Sequence, residues 1–410
     1  MARHIVIVGG GAAGTLTALH VARAARRPIQ ITVVEPREQL GEGVAYGTQD
    51  EAHLLNVPAI GMSAIEQLPH HFANWAKVAT DAFVPRRRYA EYLRDSLAVA
   101  TAHQHAAVRH LRSTITEIGI APCRLTVGDG TSLDADAVVL ALGNAAPSQP
   151  EWTRNFTIAP VIADPWAAGA IDSVANESRV LCVGTGLTFV DVALSLTRRD
   201  VHVTGISRHG LLPTVHGPVG EAPTLPDTFS SPLDLMQWIR SQPDWRAAFA
   251  ALRPATQRIW RNFTPQEQQR FLRHARRYWD VHRHRMSRDV ASALDTQRHA
   301  GRIKIERGDA RALAESGAFD AIILCTGPDD SALLNDVPLA QLVANGIVAA
   351  GPHAMGIATD PDTGQDCDRK HQLVDGLFAI GPLRRGTLWE STAIPETRSE
   401  AQRLAALLLA

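Results

Sequence analysis

The sequence predicts an α/β protein in which one strand–glycine turn–helix–strand unit is written twice, with an α-helical insertion after the second copy. Three observations predict it. "RHIVIVGGGAAGTLTALHVARAARRPIQITVVEP" from Arg3 and "RVLCVGTGLTFVDVALSLTRRDVHVTGISR" from Arg179 follow one plan. "ADAVVLALGNAAP" from Ala135 and "FDAIILCTGPDD" from Phe319 each read as a buried strand ending in a glycine. Between Leu211 and about Arg302 the pattern turns helical and basic.

In the first unit, "HIVIV" is β-branched and does not alternate, as a parallel strand buried on both faces should read. Gly9, Gly11 and Gly14 follow in GxGxxG spacing. Gly9 permits the tight strand-to-helix turn, Gly11 lets a pyrophosphate approach the backbone, and Gly14 lets helix and strand pack closely. The helix opening at Ala12 and Ala13 offers unpaired N–H groups and a partial positive charge to phosphates. Glu35, followed by Pro36, ends the next strand about 20 residues on, where a carboxylate accepts hydrogen bonds from a ribose. Each part occurs in order, which a chance GxGxxG does not give.

In the second unit Gly184 and Gly186 take the first two glycine positions, with Thr185, Leu187 and Thr188 around them. Phe189 stands at the third, which predicts a helix held further from its strand. Ser207, Arg208 and His209 end the following strand, where an acid would sit. A carboxylate there would repel a 2′-phosphate; a hydroxyl and a guanidinium would bind one. Two sites of opposite bias predict two dinucleotides, FAD on the first and NADPH on the second. Gly143 and Gly327 end the two closing strands. The fold class is therefore two Rossmann-like, glutathione-reductase-type dinucleotide-binding domains. Residues 1–165 and 329–410 form the FAD domain. Residues 175–328 form the NAD(P) domain, with the helical insertion at about 212–300.

A hairpin with the turn Asp129-Gly130 precedes the first closing strand. The segment from Leu68 to about Ala107 reads as helical. In it Arg86, Arg87, Tyr89 and Tyr92 could reach phosphates or a substrate acid, Arg87 being assigned to FAD; an amphipathic helix with Tyr89, Tyr92 and Leu93 facing inward is the other reading. Near the end, Gly381, Pro382, Thr387, Leu388, Trp389 and Glu390 form the loop after the last FAD strand. Together with Arg384 and Arg385 they are expected at the flavin ring or ribityl chain, a solvent-facing arginine pair being the alternative. Pro395 suits a helical first turn, and Ser391 or Thr392 can cap it. That helix start would stabilise an anionic reduced flavin ring.

The chain has 410 residues and a formal net charge of −1, so no global field calls for nucleic acid or an anionic membrane. Cys123, Cys182, Cys325 and Cys367 form no CxxC, so neither a redox disulfide nor a zinc site is expected. Cys182 and Cys325 sit in buried strands. His282 and His284 point to different helix faces, and no metal is predicted. With no run of about 18 apolar residues and no signal-type start, a cytoplasmic protein is expected. Homo-oligomerisation is compatible with all of this.

"GEGVAYGT", "HLLNVPAIGMSA", "PRRRYAEYL", "VGTGLTFVDVALSL", "ISRHGLLP", "WDVHRHRM" and "GPLRRGTLWESTAIPETRSEA" make the chain resemble, over nearly its whole length, the bacterial FAD–NAD(P)-binding proteins related to class B flavin monooxygenases and N-hydroxylases. The resemblance implies that Gly43–Gly47, with Tyr46, and Asn56–Ser63, with Asn56, Met62 and Ser63, approach the flavin. "GTGLTFVD" is similar to the GxGxSxxE signature of N-hydroxylating enzymes, with Thr188 for Ser and Asp191 for Glu. The FxGxxxHxxx(W/F) fingerprint of Baeyer–Villiger and flavin-containing monooxygenases is absent. The implied activity is NADPH-dependent monooxygenation of a small molecule by O2, as heteroatom hydroxylation through a C4a-(hydro)peroxyflavin, with the insertion as a lid. The alternative is an oxidoreductase passing electrons to a small acceptor or a protein partner. Neither names a catalytic side chain, because the hard chemistry belongs to the cofactor.

Overall fold

The computed structural model describes residues 2–102, 105–335 and 337–410. The chain divides into two compact units. Unit 1 is Met1–Gln49, Val57–Ala145 and Asp330–Ala410; unit 2 is Asp50–Asn56 and Ala146–Asp329. In chain order the strands are β1 (Arg3–Val8), β2 (Ile29–Val34), β3 (Ala106–Leu111), β4 (Ile115–Gly119), β5 (Cys123–Val127), β6 (Ser132–Ala135), β7 (Ala137–Leu140), β8 (Val161–Ile162), β9 (Arg179–Val183), β10 (His202–Ser207), β11 (Ile303–Arg307), β12 (Ala321–Leu324), β13 (Gln365–Cys367) and β14 (Leu373–Ala379).

Unit 1 is built on a six-stranded sheet, β13-β14-β7-β1-β2-β3. β1 runs parallel to both β2 and β7, and Ile5, Val6 and Ile7 are wholly buried between them. This is why the run shows no alternation. The helix Ala12–Ala24 packs against the helices Arg86–Thr101 and Ile394–Leu409. Gly9 has φ +104°, and a Cβ on it would run into the Ala141 carbonyl; a Cβ on Gly14 would run into the Gly9 carbonyl. A small antiparallel sheet, β4-β5-β6, carries the expected hairpin, with Gly130 at φ +85°.

The long helix expected from Leu68 is broken. It becomes His71–Ala76, ended by Lys77 in the left-handed region, and Arg86–Thr101. Its last residues instead begin β3, an edge strand parallel to β2. An edge strand buries too little to show a clean two-residue period, and its short apolar pattern is easily read as the end of a helix.

Unit 2 contains the all-parallel sheet β11-β10-β9-β12-β8. Phe189, at the third-glycine position, is received by a glycine on the next strand. Its ring is fully buried, and a Cβ on Gly205 of β10 would lie 2.5 Å from the ring's Cε2. A glycine on β10 thus makes room for the ring.

The insertion is built of short helices, several of them capped by side chains. Ser231, Asp244 and Ser287 cap Pro232–Ser241, Trp245–Leu252 and Arg288–His299, and Thr264 with Glu267 forms a capping box. Phe249 and Phe271 flank the buried Trp279 at ring separations of 5.0 and 5.8 Å, giving the insertion its own core. Asp50–Asn56 belongs to unit 2 because Asp50 accepts from the Ser195 hydroxyl (2.7 Å) and Arg198. Further along, the His216 ring N–H donates to the Asn56 carbonyl (3.0 Å). Among the described residues no helix is long and apolar enough to cross a membrane.

Candidate functional site

Each unit places a glycine turn at the end of its first parallel strand, and the surroundings of the two turns differ. In unit 1 the helix begins at Ala12, with Gly11 as an N-cap that makes no side-chain capping bond. The amides of Ala12 and Ala13 are therefore among the helix-start donors left without intrahelical partners. A second glycine turn lies directly above: Gly43, at φ +51°, approaches the Gly11 backbone so closely that a Cβ on Gly43 would sit 3.3 Å from the Gly11 Cα. The Gly41 amide donates to the Gly10 carbonyl at 2.8 Å, which fastens the two turns together. The positive φ and the 3.3 Å approach together favour a glycine at position 43.

Glu35 is buried beside this turn. One carboxylate oxygen accepts from the Gly10 amide (2.8 Å), the other from the Arg37 amide (3.1 Å) and guanidinium (3.2 Å). Pro36 follows it. Gly143, at φ +73°, faces open space: a Cβ there would meet nothing within 4 Å. Gly381, at φ +74°, lies against the helix start, a Cβ on it falling 3.5 Å from that of Ala13. The fold thus gathers Gly9, Gly11, Ala12, Ala13, Gly14, Glu35 and Gly381, which are separated by nearly the whole sequence.

Other expected residues are placed differently. Tyr46 packs on Tyr89 at a ring separation of 5.0 Å. Met62 is buried, and the buried Ser63 hydroxyl bonds within its own loop, to the carbonyls of Ile65 and Leu68. Arg87 pairs along its helix with Glu91 at 3.4 Å. Tyr89, Tyr92 and Leu93 face inward and are wholly buried. Asn56 lies in unit 2, in the segment held by His216.

The loop after β14 is buried rather than exposed. Pro382, Leu388, Trp389 and Glu390 are all covered, with Thr387 half-covered. Arg384 is 3 % exposed, so the solvent-facing alternative fails for it. Its guanidinium donates to the Thr359 hydroxyl, the carbonyls of Asp360 and Pro361, and the Glu400 carboxylate. Arg385 pairs with Asp330 at 3.1 Å and lies over the Trp389 ring. Neither Ser391 nor Thr392 caps the last helix. Its N-cap is Ala393, with Pro395 in the first turn, so the helix start carries no side-chain capping bond.

In unit 2, Gly184 has φ +111°, with the Cys325 carbonyl where its Cβ would be. Around Gly186 and Gly327 a Cβ would meet nothing within 4 Å, so the backbone lies open to a ligand. Leu187 and Thr188 open the helix Leu187–Thr197. At the ends of β9 and β10 a cavity of about 670 Å³ is lined by Val183, Gly184, Ser207, Arg208, Asp309 and Thr326, among others. Thr185 donates to the Leu211 carbonyl (2.5 Å), so the Ser207 hydroxyl donates to Thr185 (2.8 Å) and accepts from the Gly210 amide (3.0 Å). His209 is held below its ordinary pKa by desolvation and by the charges of Arg277, Arg208 and Arg307. Three guanidinium charges therefore act on His209, just past the end of β10.

Arg277 and Arg307 are absent from the sequence-level expectation because one comes from the insertion and the other from a neighbouring strand. Asp309, which caps the helix Ala310–Ala314, also lines the cavity unforeseen; the Asp-Ala-Arg-Ala run after β11 was its only local signal. Cys182 and Cys325 are buried, and the hydrogen bond between them, with burial, raises the pKa of Cys325. Among the described residues no cluster of His, Cys, Asp and Glu could hold a metal ion.

These cradles can be set beside known proteins. Residues 6–145 match the family model described as FAD-NAD(P)-binding. No curated protein matches the chain by sequence. Among solved structures, the chain is similar to the reduced form of the ornithine hydroxylase PvdA from Pseudomonas aeruginosa at 15 % identity and a TM-score of 0.59, covering 100 % of this chain and 99 % of that one. It is similar to L-lysine 6-monooxygenase from Pseudomonas syringae at 18 % identity and a TM-score of 0.59, with the same coverage of 100 % and 99 %. The FAD-bound cadaverine monooxygenase DfoA of the desferrioxamine pathway, from Erwinia amylovora, matches at 10 % identity and a TM-score of 0.60, covering 100 % and 94 %. Residues 6–145 are thus an FAD-NAD(P)-binding domain, in a chain with the two-dinucleotide-domain α/β fold of these monooxygenases.

Proposed function

We propose that this chain is an FAD-dependent, NADPH-consuming monooxygenase that uses O2 to hydroxylate a heteroatom, by preference nitrogen, of a small-molecule substrate. The observation that carries the reading is the pair of open glycine cradles with opposite surroundings. A buried carboxylate, Glu35, stands at one, and Arg208, Arg277 and Arg307 stand near the other. Support for the oxygenase branch comes from the N-hydroxylase-like "GTGLTFVD" and from the fold shared with the ornithine, lysine and cadaverine enzymes.

The residues present fit both dinucleotides. FAD, when bound, supplies the hydride acceptor and the oxygen-activating ring, and NADPH the hydride. Gly9–Gly14 and the amides of Ala12 and Ala13 would hold the flavin nucleotide's pyrophosphate, with Glu35 at its ribose. The uncapped start of the last helix places partial positive charge in the region of Gly381, favouring negative charge on a bound ring. Gly184, Gly186 and Gly327 leave room for the second pyrophosphate. Arg208 would recognise the 2′-phosphate that separates NADPH from NADH, since the one Ser207 hydroxyl proton is already given to Thr185.

The test is a screen of amines and other heteroatom nucleophiles for faster NADPH oxidation by the purified protein, followed by mass analysis of the products. The reading requires substrate-stimulated consumption of NADPH and O2 together with a product heavier by one oxygen atom. Anaerobic turnover with an added electron acceptor, and no oxygenated product from any compound, would replace it with a reductase.

A further inference from the structure

The motif "WDVHRHRM" plays no part in either dinucleotide cradle, yet its arginines stand in a distinctive place. The backbone around Arg285 is fixed. The Met286 amide donates to the Thr214 carbonyl and the His216 amide to the Met286 carbonyl, both at 2.9 Å, so residues 214–216 and 286 form a short parallel ladder. Met286 is buried on one side of it. Its neighbour Arg285 therefore projects from the opposite side, as alternate residues of an extended segment do.

The Nε and Nη1 atoms of Arg285 are shut off from solvent and meet no hydrogen-bond acceptor among the described residues. Its guanidinium carbon lies 5.8 Å from the centre of the Trp245 ring, and that of Arg246 lies 4.2 Å from the same ring. The charges acting most strongly on Arg285 are those of Arg283, Arg246 and Arg253, opposed by Asp244. Desolvation and these three cations lower its pKa. Arg246 and Arg283, together with Arg285 itself, also depress His216, which is held down to about 4, chiefly by burial.

Asp244 does not neutralise the cluster through Arg285. One of its oxygens accepts from the Arg246 amide (2.8 Å) and the other from the Gly220 amide (2.9 Å). Arg246 is directed by the Val215 carbonyl (3.0 Å), and a Cβ on Gly217 would lie 3.0 Å from its Nε, so a glycine there gives the guanidinium room. Packing alone gives no reason to gather like charges around donors with no acceptor. An apolar residue would fill the space at less cost.

We infer that Arg285 and Arg246, beside Trp245, form a binding site for an oxyanion, a carboxylate or phosphate group of a small ligand. The forked guanidinium matches the two oxygens of such a group. The residues involved are separate from Arg208, Arg277 and Arg307 at the end of β10, so the site adds to the one assigned to the 2′-phosphate. On the monooxygenase reading, which this step alone needs, the anion is the acid group of the substrate. The other source of the same chemistry is a phosphate of the nucleotide.

The experiment titrates inorganic phosphate and malonate by calorimetry into the purified full chain at low ionic strength, with and without saturating NADP⁺. Melting curves are recorded in parallel for the wild type, Arg285→Gln and Arg285→Lys. At least one probe should bind, Arg285→Gln should weaken it tenfold or more, and Arg285→Lys, which keeps the charge and loses the fork, should weaken it less. Without anion, Arg285→Gln should melt no lower than the wild type, because it removes a repelled charge. Binding that survives NADP⁺ assigns the site to the substrate's acid, and binding abolished by NADP⁺ assigns it to the nucleotide. Failure of both probes to bind, unchanged binding by Arg285→Gln, or a variant that melts lower or does not fold overturns the site. None of these outcomes depends on flavin content or turnover.

Discussion

Arg384 and Glu400 face each other at 3.2 Å, with both side chains 4 % exposed. Glu400 comes from the last helix and also accepts from the Gly381 amide at 3.2 Å. Arg384 in turn ties down Thr359, Asp360 and Pro361. The pair thereby fixes the turn that sets Gly381 against Ala13 at the first glycine cradle.

Breaking the pair should unfold the turn's support. Glu400→Ala leaves a buried guanidinium without its carboxylate, a change that costs about 3–5 kcal/mol. Glu400→Gln keeps an acceptor for Gly381 and should cost less. Urea denaturation measures both, and flavin retained through gel filtration should fall in the same order. Equal stability of Glu400→Ala and wild type would show that the pair carries no weight.

Gly186 separates binding from folding. Its φ is −79°, which any residue adopts, and a side chain there meets only open space. Gly186→Ala and Gly186→Val should therefore fold, with stability changed by about 1 kcal/mol or less as an N-cap substitution. The added carbons occupy the space a pyrophosphate needs, so the Kd for NADP⁺ should rise at least tenfold, more for Val. Calorimetric titration with NADP⁺ beside a melting curve checks both halves.

Arg208 should set the choice of nicotinamide cofactor. Arg208→Gln removes a charge-assisted contact to the 2′-phosphate. It should lower kcat/KM for NADPH about tenfold and leave that for NADH nearly unchanged. Arg307→Gln should act in the same direction. Equal losses with both cofactors would place the arginine outside the 2′-phosphate site.

Acid should destabilise unit 1 through His20. This residue is buried, its ring N–H donates to the Ala64 carbonyl (3.0 Å), and burial holds its pKa down to about 4 from 6.5. A histidine depressed in the folded state is neutral there while the unfolded chain takes up a proton. Its contribution is complete above pH 6.5 and is lost as pH falls towards 4. The loss amounts to about 3 kcal/mol over that window. His20→Gln, which does not titrate, should flatten this part of the stability–pH curve measured by urea denaturation.

What the sequence discloses follows from how local each constraint is. Gly14 carries its reason with it, because it packs on the Gly9 carbonyl five positions away, and the positive φ of Gly9 and Gly184 belongs to the turn itself. Phe189 does not disclose where its ring goes, since the glycine that receives it is Gly205, on the next strand. The burial of Arg384 depends on Thr359 and Glu400, 25 and 16 positions away, and the charges acting on His209 include Arg277 from the insertion. β3 is hidden because an edge strand leaves a weak pattern. The cap of the last helix falls at Ala393, where no side chain signals it.

The most direct measurement of the central claim is anaerobic mixing of the purified protein with NADPH, and separately with NADH, while the flavin absorption band is followed. The account predicts a yellow protein that holds FAD at about one per chain and is bleached much faster by NADPH than by NADH. A protein that takes up no flavin, or whose bound flavin NADPH does not reduce, would contradict it.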